Sequence, residues 1–314
     1  MDAQQQCANA VLMIRPAAFD YNMQTAASNR MQRHAAQPGT AVNALARAEF
    51  DQAVQALRTA GVRICVIEDT PQPPKPDAVF PNNWVSWHAD GTVVLYPMQA
   101  ANRRPERRRE VLDRAAAELG FSIRRILDLS HHEAEGRYLE GTGSLVLDHV
   151  ARVAYACRSP RTDEALVREW AAELGYRPEV FGAQDDAGAP FYHTNVMLSI
   201  GARAAVVAAA AIVPADRMRV LAALQATQRE IIEIDQDAVC AFAANLLELS
   251  VRDPLRGPSS IIALSASARA GLGPRAYERL QACTGGTVVL AVPTIERLGG
   301  GSVRCMLAEV FLRA

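Results

Sequence analysis

Apolar and polar positions along the chain follow two spacings, and the same order of spacings returns five times. Short apolar runs rich in Val and Ile are typical of strands, whereas apolar residues three or four positions apart are typical of amphipathic helices. The pattern predicts helices over residues 42–60, 105–119, 162–174, 214–228 and 273–283. A strand or hairpin precedes each helix and a short strand follows it, so each copy reads as a ββαβ unit.

Residues at the helix ends support these boundaries. Pro105 and Pro214 are expected in first turns, where the amide proton that proline lacks has no partner within the helix. Gly61, Gly120 and Gly175 are expected to end three of the helices, because glycine adopts the left-handed conformation of a C-cap without steric cost.

The spacing of the helices indicates a repeat architecture, because their starts lie about 50–60 residues apart. Five copies predict a single α/β domain over residues 1–314, a five-bladed α/β-propeller of pseudo-symmetric repeats around a central active site. A dinucleotide-binding fold fits less well, since no G-x-G-x-x-G follows the first strand. The repeats are expected at roughly 11–70, 77–129, 138–182, 191–235 and 240–314, the first strand pairing with the last repeat.

Composition narrows the class of protein. The formal net charge of −1 gives no field that favours nucleic acid or an anionic membrane. The longest apolar run, "AAVVAAAAIV", is about half the ~20 residues that a membrane-spanning helix needs. No basic segment precedes the first apolar stretch, so no signal peptide is predicted, and the six cysteines, which form no C-x-x-C pair, are expected as free thiols. We therefore expect a cytoplasmic protein without nucleic-acid or membrane partners; a homo-oligomer is compatible with the sequence.

Positions that recur with the repeat are candidates for a site on the axis. Counting from Asn83 in steps of about 50–60 residues leads to Glu140, His193, Asn245 and Cys305. Equivalent positions of symmetric repeats form a ring around the shared axis. The sequence therefore predicts that a thiol, an imidazole, a carboxylate and two amides lie close together.

Cys305 is the candidate nucleophile, with an ordinary buried cysteine as the alternative. It follows three glycines in "GGGSVRC", and glycines let a backbone approach a ligand closely. A single histidine in an apolar strand is often an ordinary core residue, which is the alternative for His193. Paired with Cys305, it would act as a base or as an imidazolium partner of the thiolate. Glu140 would orient His193 or handle a proton on a leaving nitrogen, unless it is a surface carboxylate.

Five further residues are candidates for substrate binding. The planar fork of Arg161 suits a carboxylate, although a solvated arginine at a helix start is the alternative. Asp77 could hold an ammonium group or cap a turn. Asn82 and Asn83 in "FPNNWV" and Asn195 in "FYHTNV" place neutral amides in apolar surroundings, where an unpaired amide costs roughly 1–3 kcal/mol.

Two conspicuous segments are given ordinary interpretations. Residues 131–137, "HHEAEGR", lack the helical spacing of a zinc site, so a solvated or mobile loop bordering the site is expected and no metal is predicted. Residues 102–110, "NRRPERRRE", alternate arginines with glutamates and are expected to form a solvated helix face.

Five motifs, "DAVFPNNW", "LEGTGS", "SPRTDE", "FYHTN" and "GGGSVRC", give the chain a resemblance to the guanidine-modifying superfamily of arginine deiminases, dimethylarginine hydrolases and amidinotransferases. The resemblance runs from "MIRP" to the C-terminus, and within the superfamily the chain looks most like the citrulline-utilisation hydrolases of the CtlX type. The resemblance implies the five-repeat propeller known as a pentein, a small amino-acid substrate, and no metal or organic cofactor.

The resemblance also implies roles for individual residues. Cys305 would be the nucleophile, His193 the acid and base, and Glu140 the carboxylate beside it. Arg161 would bind the substrate α-carboxylate, and Asp77 would lie near the α-amino group.

Asn83 and Asn195 depart from the pattern of arginine-processing relatives, which commonly have aspartate at both positions. An amide cannot neutralise a guanidinium, but it can donate a hydrogen bond to the oxygen of a neutral ureido group. The predicted function is therefore hydrolysis of citrulline to ornithine, ammonia and carbon dioxide through a covalent cysteine intermediate. The alternatives are an arginine or methylarginine hydrolase, an amidinotransferase, and a non-catalytic propeller that binds a partner.

Overall fold

The computed structural model describes residues 6–34, 39–253 and 257–312. Strands and helices alternate along these ranges, as the sequence pattern predicts. The strands are β1 (Ala10–Arg15), β2 (Arg63–Glu68), β3 (Val85–Trp87), β4 (Thr92–Leu95), β5 (Arg125–Asp128), β6 (Val146–Asp148), β7 (Val153–Cys157), β8 (Arg177–Phe181), β9 (Leu198–Ile200), β10 (Ala204–Val207), β11 (Glu230–Glu233), β12 (Leu247–Asp253), β13 (Gly257–Ser265), β14 (Thr287–Leu290) and β15 (Ala308–Val310).

Both α-helices and short 3₁₀ helices connect the strands. The α-helices are α1 (Gly39–Thr59), α2 (Arg109–Leu119), α3 (Gly141–Ser144), α4 (Glu164–Leu174), α5 (Pro214–Gln225), α6 (Gln236–Cys240), α7 (Ala266–Ala282), α8 (Pro293–Gly299) and α9 (Val303–Met306). The 3₁₀ helices are Pro81–Asn83, Ala101–Glu106, Ser130–Glu135, Thr194–Val196 and Ala209–Ala211. None of the described helices is long and apolar enough to cross a bilayer.

The described strands form five three-stranded units of one design. In each unit the first two strands are antiparallel and the third is parallel to the second, so a helix must cross over between the second and third strands. The units are β3-β4-β5, β6-β7-β8, β9-β10-β11, β12-β13-β14 and β15-β1-β2; the first and last share one six-stranded sheet, because β15 also pairs with β3, and the other three are separate sheets. The last one is assembled from both ends of the chain, because β1 pairs with β15.

The five predicted helices are present with shifted boundaries. Pro105 lies inside the 3₁₀ helix Ala101–Glu106 rather than in the first turn of α2, so α2 begins four residues later than the pattern predicts. The predicted helix 273–283 is the second half of α7, which is kinked at Gly273 where φ is 66°. Gly120 and Gly175 end α2 and α4 in the left-handed conformation, as predicted.

A single turn of chain precedes the first strand of each unit, and these turns hold the candidate site residues. Pro81–Asn83 precedes β3, and α3, which follows Glu140 directly, precedes β6. Helix α3 contacts Pro81–Asn83 and the 3₁₀ helix Thr194–Val196, and α9 also contacts Pro81–Asn83. A Cβ atom at Gly143 would lie 2.7 Å from Nδ1 of His193, so only glycine lets the turns approach this closely. The turns of different units therefore converge.

Candidate active site

The thiol of Cys305 lies at the point where these turns meet. Cys305 sits in α9 and is only 3 % exposed. The preceding glycine loop is anchored from two sides: Nδ2 of Asn29 donates to the Gly299 carbonyl at 3.2 Å, and the Tyr192 hydroxyl donates to the Gly300 carbonyl. A Cβ atom at Gly301 would lie 3.1 Å from the Phe80 ring and 3.3 Å from the Cβ of Cys305, so the glycine lets the loop pack tightly beside this residue.

Two neutral amides contact the sulfur. Nδ2 of Asn195 is 3.5 Å from Sγ of Cys305, and Nδ2 of Asn245 is 3.4 Å from it. Asn195 was predicted near the reacting centre, whereas Asn245 was noted only for its position in the repeat. The described polar groups that reach the sulfur are therefore uncharged: the two amide donors, and Oδ1 of Asn245, which accepts from the thiol at 3.7 Å.

His193 and Glu140 form a buried pair beside this thiol. Nε2 of His193 lies 2.8 Å from Oε2 of Glu140, and the backbone N–H of Gln99 donates to the other carboxylate oxygen of Glu140 at 3.0 Å. Burial lowers the pKa of His193 to about 4, although Glu140 acts in the opposite direction. Burial alone would raise the pKa of Glu140, but Arg161 and His193 together hold it well below its usual value. A charged Glu140 thus accepts the Nε2 proton, which leaves Nδ1 of a neutral His193 as the basic nitrogen.

Arg161 and Asp77 line the same cavity as Cys305 and His193. Arg161 is 2 % exposed, rather than solvated at a helix start, and donates to the Ser28 hydroxyl and the Thr25 carbonyl. Oδ2 of Asp77 accepts from Nδ2 of Asn22 at 2.7 Å. Both candidate binding residues are therefore covered by the segment from Asn22 to Gln32.

Arg103 corrects the prediction of a solvated face over residues 102–110. It is 2 % exposed, donates from Nη1 to Oδ1 of Asn83 at 2.8 Å, and pairs with Glu106 at 2.8 Å. The prediction failed here because Pro105 places Arg103 in a 3₁₀ turn that points into the site. The spacing of three residues between Arg103 and Glu106 was the available signal, since such pairs can neutralise each other when buried.

The remaining predicted residues have supporting or peripheral positions. Nδ2 of Asn82 donates to the hydroxyl of Thr142 in α3 at 3.3 Å, and Oδ1 of Asn82 accepts from Nδ2 of Asn83 at 3.1 Å. Asn82 therefore holds the side chain of Asn83 in place. Residues 130–135 are a 3₁₀ helix, held by Glu133, which pairs with Arg107 at 2.6 Å. Among the described residues no group of three or more His, Cys, Asp or Glu side chains could hold a metal ion.

The cavity beside the thiol is narrow, with a volume of about 10 Å³, roughly the space of one water molecule. Two of the buried side-chain acceptors that lack a hydrogen-bond partner in the described chain belong to candidate site residues, Oδ1 of Asp77 and Oδ1 of Asn195. A buried polar atom without a partner costs roughly 1–3 kcal/mol, so such atoms commonly await a ligand. Both acceptors suit a ligand that carries N–H groups.

Comparison with known proteins identifies the family. Residues 15–312 match the family model described as N,N dimethylarginine dimethylhydrolase, eukaryotic. The chain belongs to this family. A search of curated protein sequences finds no match.

Solved structures of related proteins have the same mixed α/β fold. One is the N-terminal domain of ArgZ, an arginine dihydrolase of the ornithine–ammonia cycle in cyanobacteria, solved as a cysteine-to-serine mutant with its substrate. Its sequence is 17 % identical, and the TM-score is 0.71 over 96 % of this chain and 98 % of that one. AgrE with ornithine and NAD⁺ is 17 % identical, with a TM-score of 0.72 over 97 % of this chain and 39 % of that one. The dimethylarginine dimethylhydrolase of Pseudomonas aeruginosa with citrulline is 16 % identical, with a TM-score of 0.63 over 96 % of this chain and 99 % of that one.

Membership of the dimethylarginine dimethylhydrolase family confirms part of what the sequence predicts. The predicted superfamily is confirmed, and the chain is a hydrolase of the cysteine-dependent, guanidino-group type. The alternative of a non-catalytic propeller is therefore wrong. The choice between a ureido and a guanidino substrate stays open at the level of the family.

Replacing Glu140 by glutamine is expected to lower the free energy of unfolding of this hydrolase by about 3 kcal/mol, because Arg161 would keep a buried charge without its counter-ion. Urea unfolding measures the change. The matched control is Glu164→Gln, because Glu164 pairs with Arg168 at the surface, where its side chain is 34 % exposed. That change is expected to cost less than about 1 kcal/mol. Equal effects of the two substitutions would contradict a buried ion pair at Glu140.

Acid is expected to destabilise the fold through its buried histidines, although burial raises the pKa of Glu106 to about 7 and the protonation of that carboxyl acts in the opposite direction. Burial lowers the pKa of both His88 and His193 from 6.5 to about 4. Between these values the unfolded chain binds protons that the folded chain does not, so stability present above pH 6.5 is lost as the pH falls. For one such histidine the loss between pH 7 and pH 5 is about 2 kcal/mol. Urea unfolding at the two pH values measures it, and His88→Gln should reduce the difference; an unchanged stability would refute the prediction.

Proposed function

We propose that this hydrolase acts on citrulline and releases ornithine, ammonia and carbon dioxide through a covalent adduct on Cys305. The proposal depends on one observation: the described polar groups that contact the sulfur are the carboxamides of Asn195 and Asn245. A guanidinium at this place would need a counter-charge, whereas a neutral ureido group needs hydrogen-bond donors and acceptors. The amides provide both.

The guanidinium of Arg103 supports a neutral reacting end. It bonds Oδ1 of Asn83, and although burial opposes its charge, Glu106 and Asp77 raise its pKa, so it stays a cation. A cationic substrate group placed against Asn83 would be repelled by the positive charge of Arg103. A ureido oxygen there would instead meet donors, since the amide oxygen of Asn83 is already occupied by Arg103.

The other end of the substrate would be bound by Arg161 and Asp77. The guanidinium of Arg161 suits an α-carboxylate, which would take the place of Ser28 and the Thr25 carbonyl as its partner. The unpartnered Oδ1 of Asp77 suits the α-ammonium group. The narrow cavity has space for roughly one water molecule, which is too little for an amino acid. The segment from Asn22 to Gln32, which covers Arg161 and Asp77, must therefore move when an amino acid enters.

The chemistry that we propose consumes one water molecule. The Cys305 sulfur attacks the ureido carbon while His193 takes the thiol proton, and the amide of Asn195 stabilises the negative charge that develops on the ureido oxygen. One C–N bond breaks, and His193, which received the thiol proton, gives it to the leaving nitrogen. Water, deprotonated by His193, then attacks the carbonyl carbon of the thioester and frees the sulfur. Breakage of the second C–N bond completes the release of ornithine, ammonia and carbon dioxide.

We further propose that the five units close into one propeller around this site, so that the chain is a single catalytic domain. The common strand pattern of the units and the contacts between their first turns support this arrangement. A central axis would also explain why residues far apart in sequence, such as Asn83 and Cys305, line one cavity. The location in the cytoplasm stays a prediction.

The second candidate is an arginine-type hydrolase. Two carboxylates, those of Asp77 and Glu140, are buried at the site, and the similar structures include ArgZ, an arginine dihydrolase. Glu140 is already neutralised by Arg161 and bonded to His193, however, which leaves it little capacity for a guanidinium. An amidinotransferase would in addition require a second amine in a cavity that is already narrow.

The test compares substrates at equal concentration. The purified protein is incubated with citrulline, arginine or dimethylarginine, and ornithine, citrulline and ammonia are measured over time. Formation of ornithine from citrulline, with slow turnover of arginine, supports the proposal. Ready turnover of arginine or dimethylarginine with none of citrulline overturns it and establishes the arginine-type alternative. Transfer to an added amine such as glycine would identify an amidinotransferase.

A further inference from the structure

We propose that Asn245 is a further catalytic residue, which binds the sulfur of Cys305 in its thiolate form and thereby activates it for attack. The inference rests on the part of the proposed function that makes Cys305 the nucleophile, and it is independent of which substrate the enzyme takes. Neither the motifs of the sequence nor the comparisons assign a role to this residue.

The orientation of the Asn245 amide is fixed by its surroundings. Asn245 is completely buried, two residues before the start of β12. Its Nδ2 donates to the backbone carbonyl of Asn195 at 3.1 Å, and the same nitrogen lies 3.4 Å from Sγ of Cys305. Rotating the amide by half a turn would place two oxygens, those of Asn245 and Asn195, against each other. The amide therefore keeps an Nδ2 proton directed at the sulfur, and while Cys305 is a thiol its Sγ also donates to Oδ1 of Asn245, at the longer distance of 3.7 Å.

A thiolate at Cys305 needs such donors because His193, its expected partner, is hydrogen-bonded to Glu140 instead. The sequence suggested that an imidazolium of His193 could stabilise the thiolate. Nε2 of His193 instead bonds Glu140, and burial keeps the imidazole neutral near pH 7, since its pKa is about 4. The described donors that reach the sulfur are Nδ2 of Asn195 and Nδ2 of Asn245. A hydrogen bond to an ion is roughly twice as strong as one between neutral groups, so both favour the thiolate over the thiol.

Asn245 also holds the Asn195 backbone in place, which a purely structural residue would do as well. Two substitutions separate these roles. Asn245→Ala removes both contacts, whereas Asn245→Asp keeps the shape but replaces the donor with a negatively charged acceptor. A structural role predicts that the effects follow the loss of folding stability. A catalytic role predicts that the aspartate variant is impaired most, because its charge repels the thiolate.

The measurement is the rate at which Cys305 reacts with iodoacetamide at pH 7, read by mass spectrometry of the peptide that begins at this residue after tryptic cleavage. Resolving the peptide matters because Cys240 is exposed and Cys283 is partly so. We expect the rate to fall roughly tenfold in Asn245→Ala and about a hundredfold in Asn245→Asp, since one charge-assisted hydrogen bond contributes a factor of that order. The kcat for the substrate should fall with little change in KM.

Asn43→Ala is the matched control. The Asn43 amide also bridges two backbone groups, Phe19 and Ala17, without being part of the site. This variant should lose stability and keep the alkylation rate of Cys305. If Asn245→Ala and Asn245→Asp do not fold, Asn245→Ser supplies a smaller residue with a hydroxyl donor, and its rate should lie below that of the native protein.

Alkylation of folded Asn245 variants at the native rate overturns the inference. Failure of the proposed function has a different signature: citrulline would not be turned over, while the native Cys305 would still react rapidly and the Asn245 variants slowly. Slow, uniform alkylation of all six cysteines in the native protein would remove both the nucleophile and the role of Asn245.

Discussion

Citrulline turnover is expected to fall on the order of 10⁴-fold when Cys305 is replaced by serine, the largest single effect we predict. A serine hydroxyl is a far weaker acid than a thiol, so it seldom supplies an anion for attack. The surroundings also fit sulfur, because the two amide donors stand 3.4 and 3.5 Å from it, which is long for a hydrogen bond to oxygen. The rate of ornithine formation under saturating citrulline measures the change.

The variant separates chemistry from folding. Cys305 and serine differ little in size, so the thermal midpoint should change only slightly. Cys240→Ser and Cys283→Ser provide controls away from the site, one at an exposed and one at a partly buried position, and both should keep full activity. Activity of the Cys305→Ser variant above one hundredth of the native value would mean that another group is the nucleophile.

Replacing Asn195 by aspartate is expected to lower the kcat for citrulline on the order of 10²–10³-fold, the effect of losing one donor at a developing anion. The substitution also puts a negative charge about 3.5 Å from the sulfur, which opposes the thiolate. Steady-state kinetics with citrulline measure the loss. Parallel kinetics with arginine show whether the ratio of the kcat/KM values for arginine and citrulline rises, that is, whether specificity shifts toward the cationic substrate.

Asn83→Asp tests the same charge argument at a different place. Oδ1 of Asn83 already accepts from Arg103 at 2.8 Å, so a carboxylate there would find a counter-charge and should reduce kcat less than the change at Asn195. Combining both substitutions should weaken citrulline hydrolysis most and favour a cationic substrate. Unchanged citrulline kinetics in the double variant would remove the electrostatic basis of the substrate proposal.

Local patterns were sufficient for the secondary structure because helix and strand spacings depend on neighbouring residues. The glycines after α2 and α4 end these helices as expected, since the left-handed conformation is a property of the single residue. Boundaries failed where a second local signal competed. Pro105 lies inside a 3₁₀ turn instead of beginning α2, and Gly273 kinks a longer helix of which the pattern predicted only the second half.

The site was partly visible in the sequence for a different reason. Reactive residues beside glycines, such as Glu140 and Cys305, mark places where backbone and side chains must approach closely, and a repeat puts such places in register. Arg103 was not visible, because a run of arginines and glutamates has the same appearance on a solvated helix and in a buried ion pair. Only the 3₁₀ turn before α2 decides that this guanidinium faces Asn83.

By itself, the sequence determined the order of strands and helices and the fivefold repeat pattern, and it proposed the candidate reactive side chains, since these follow from short-range spacing and residue chemistry. The tertiary structure decided how β15 joins β1, which partners Arg161 and Asp77 have, and which amides reach the sulfur. These features depend on distances between residues that are up to hundreds of positions apart. Packing of the whole chain sets such distances, and no local pattern records them.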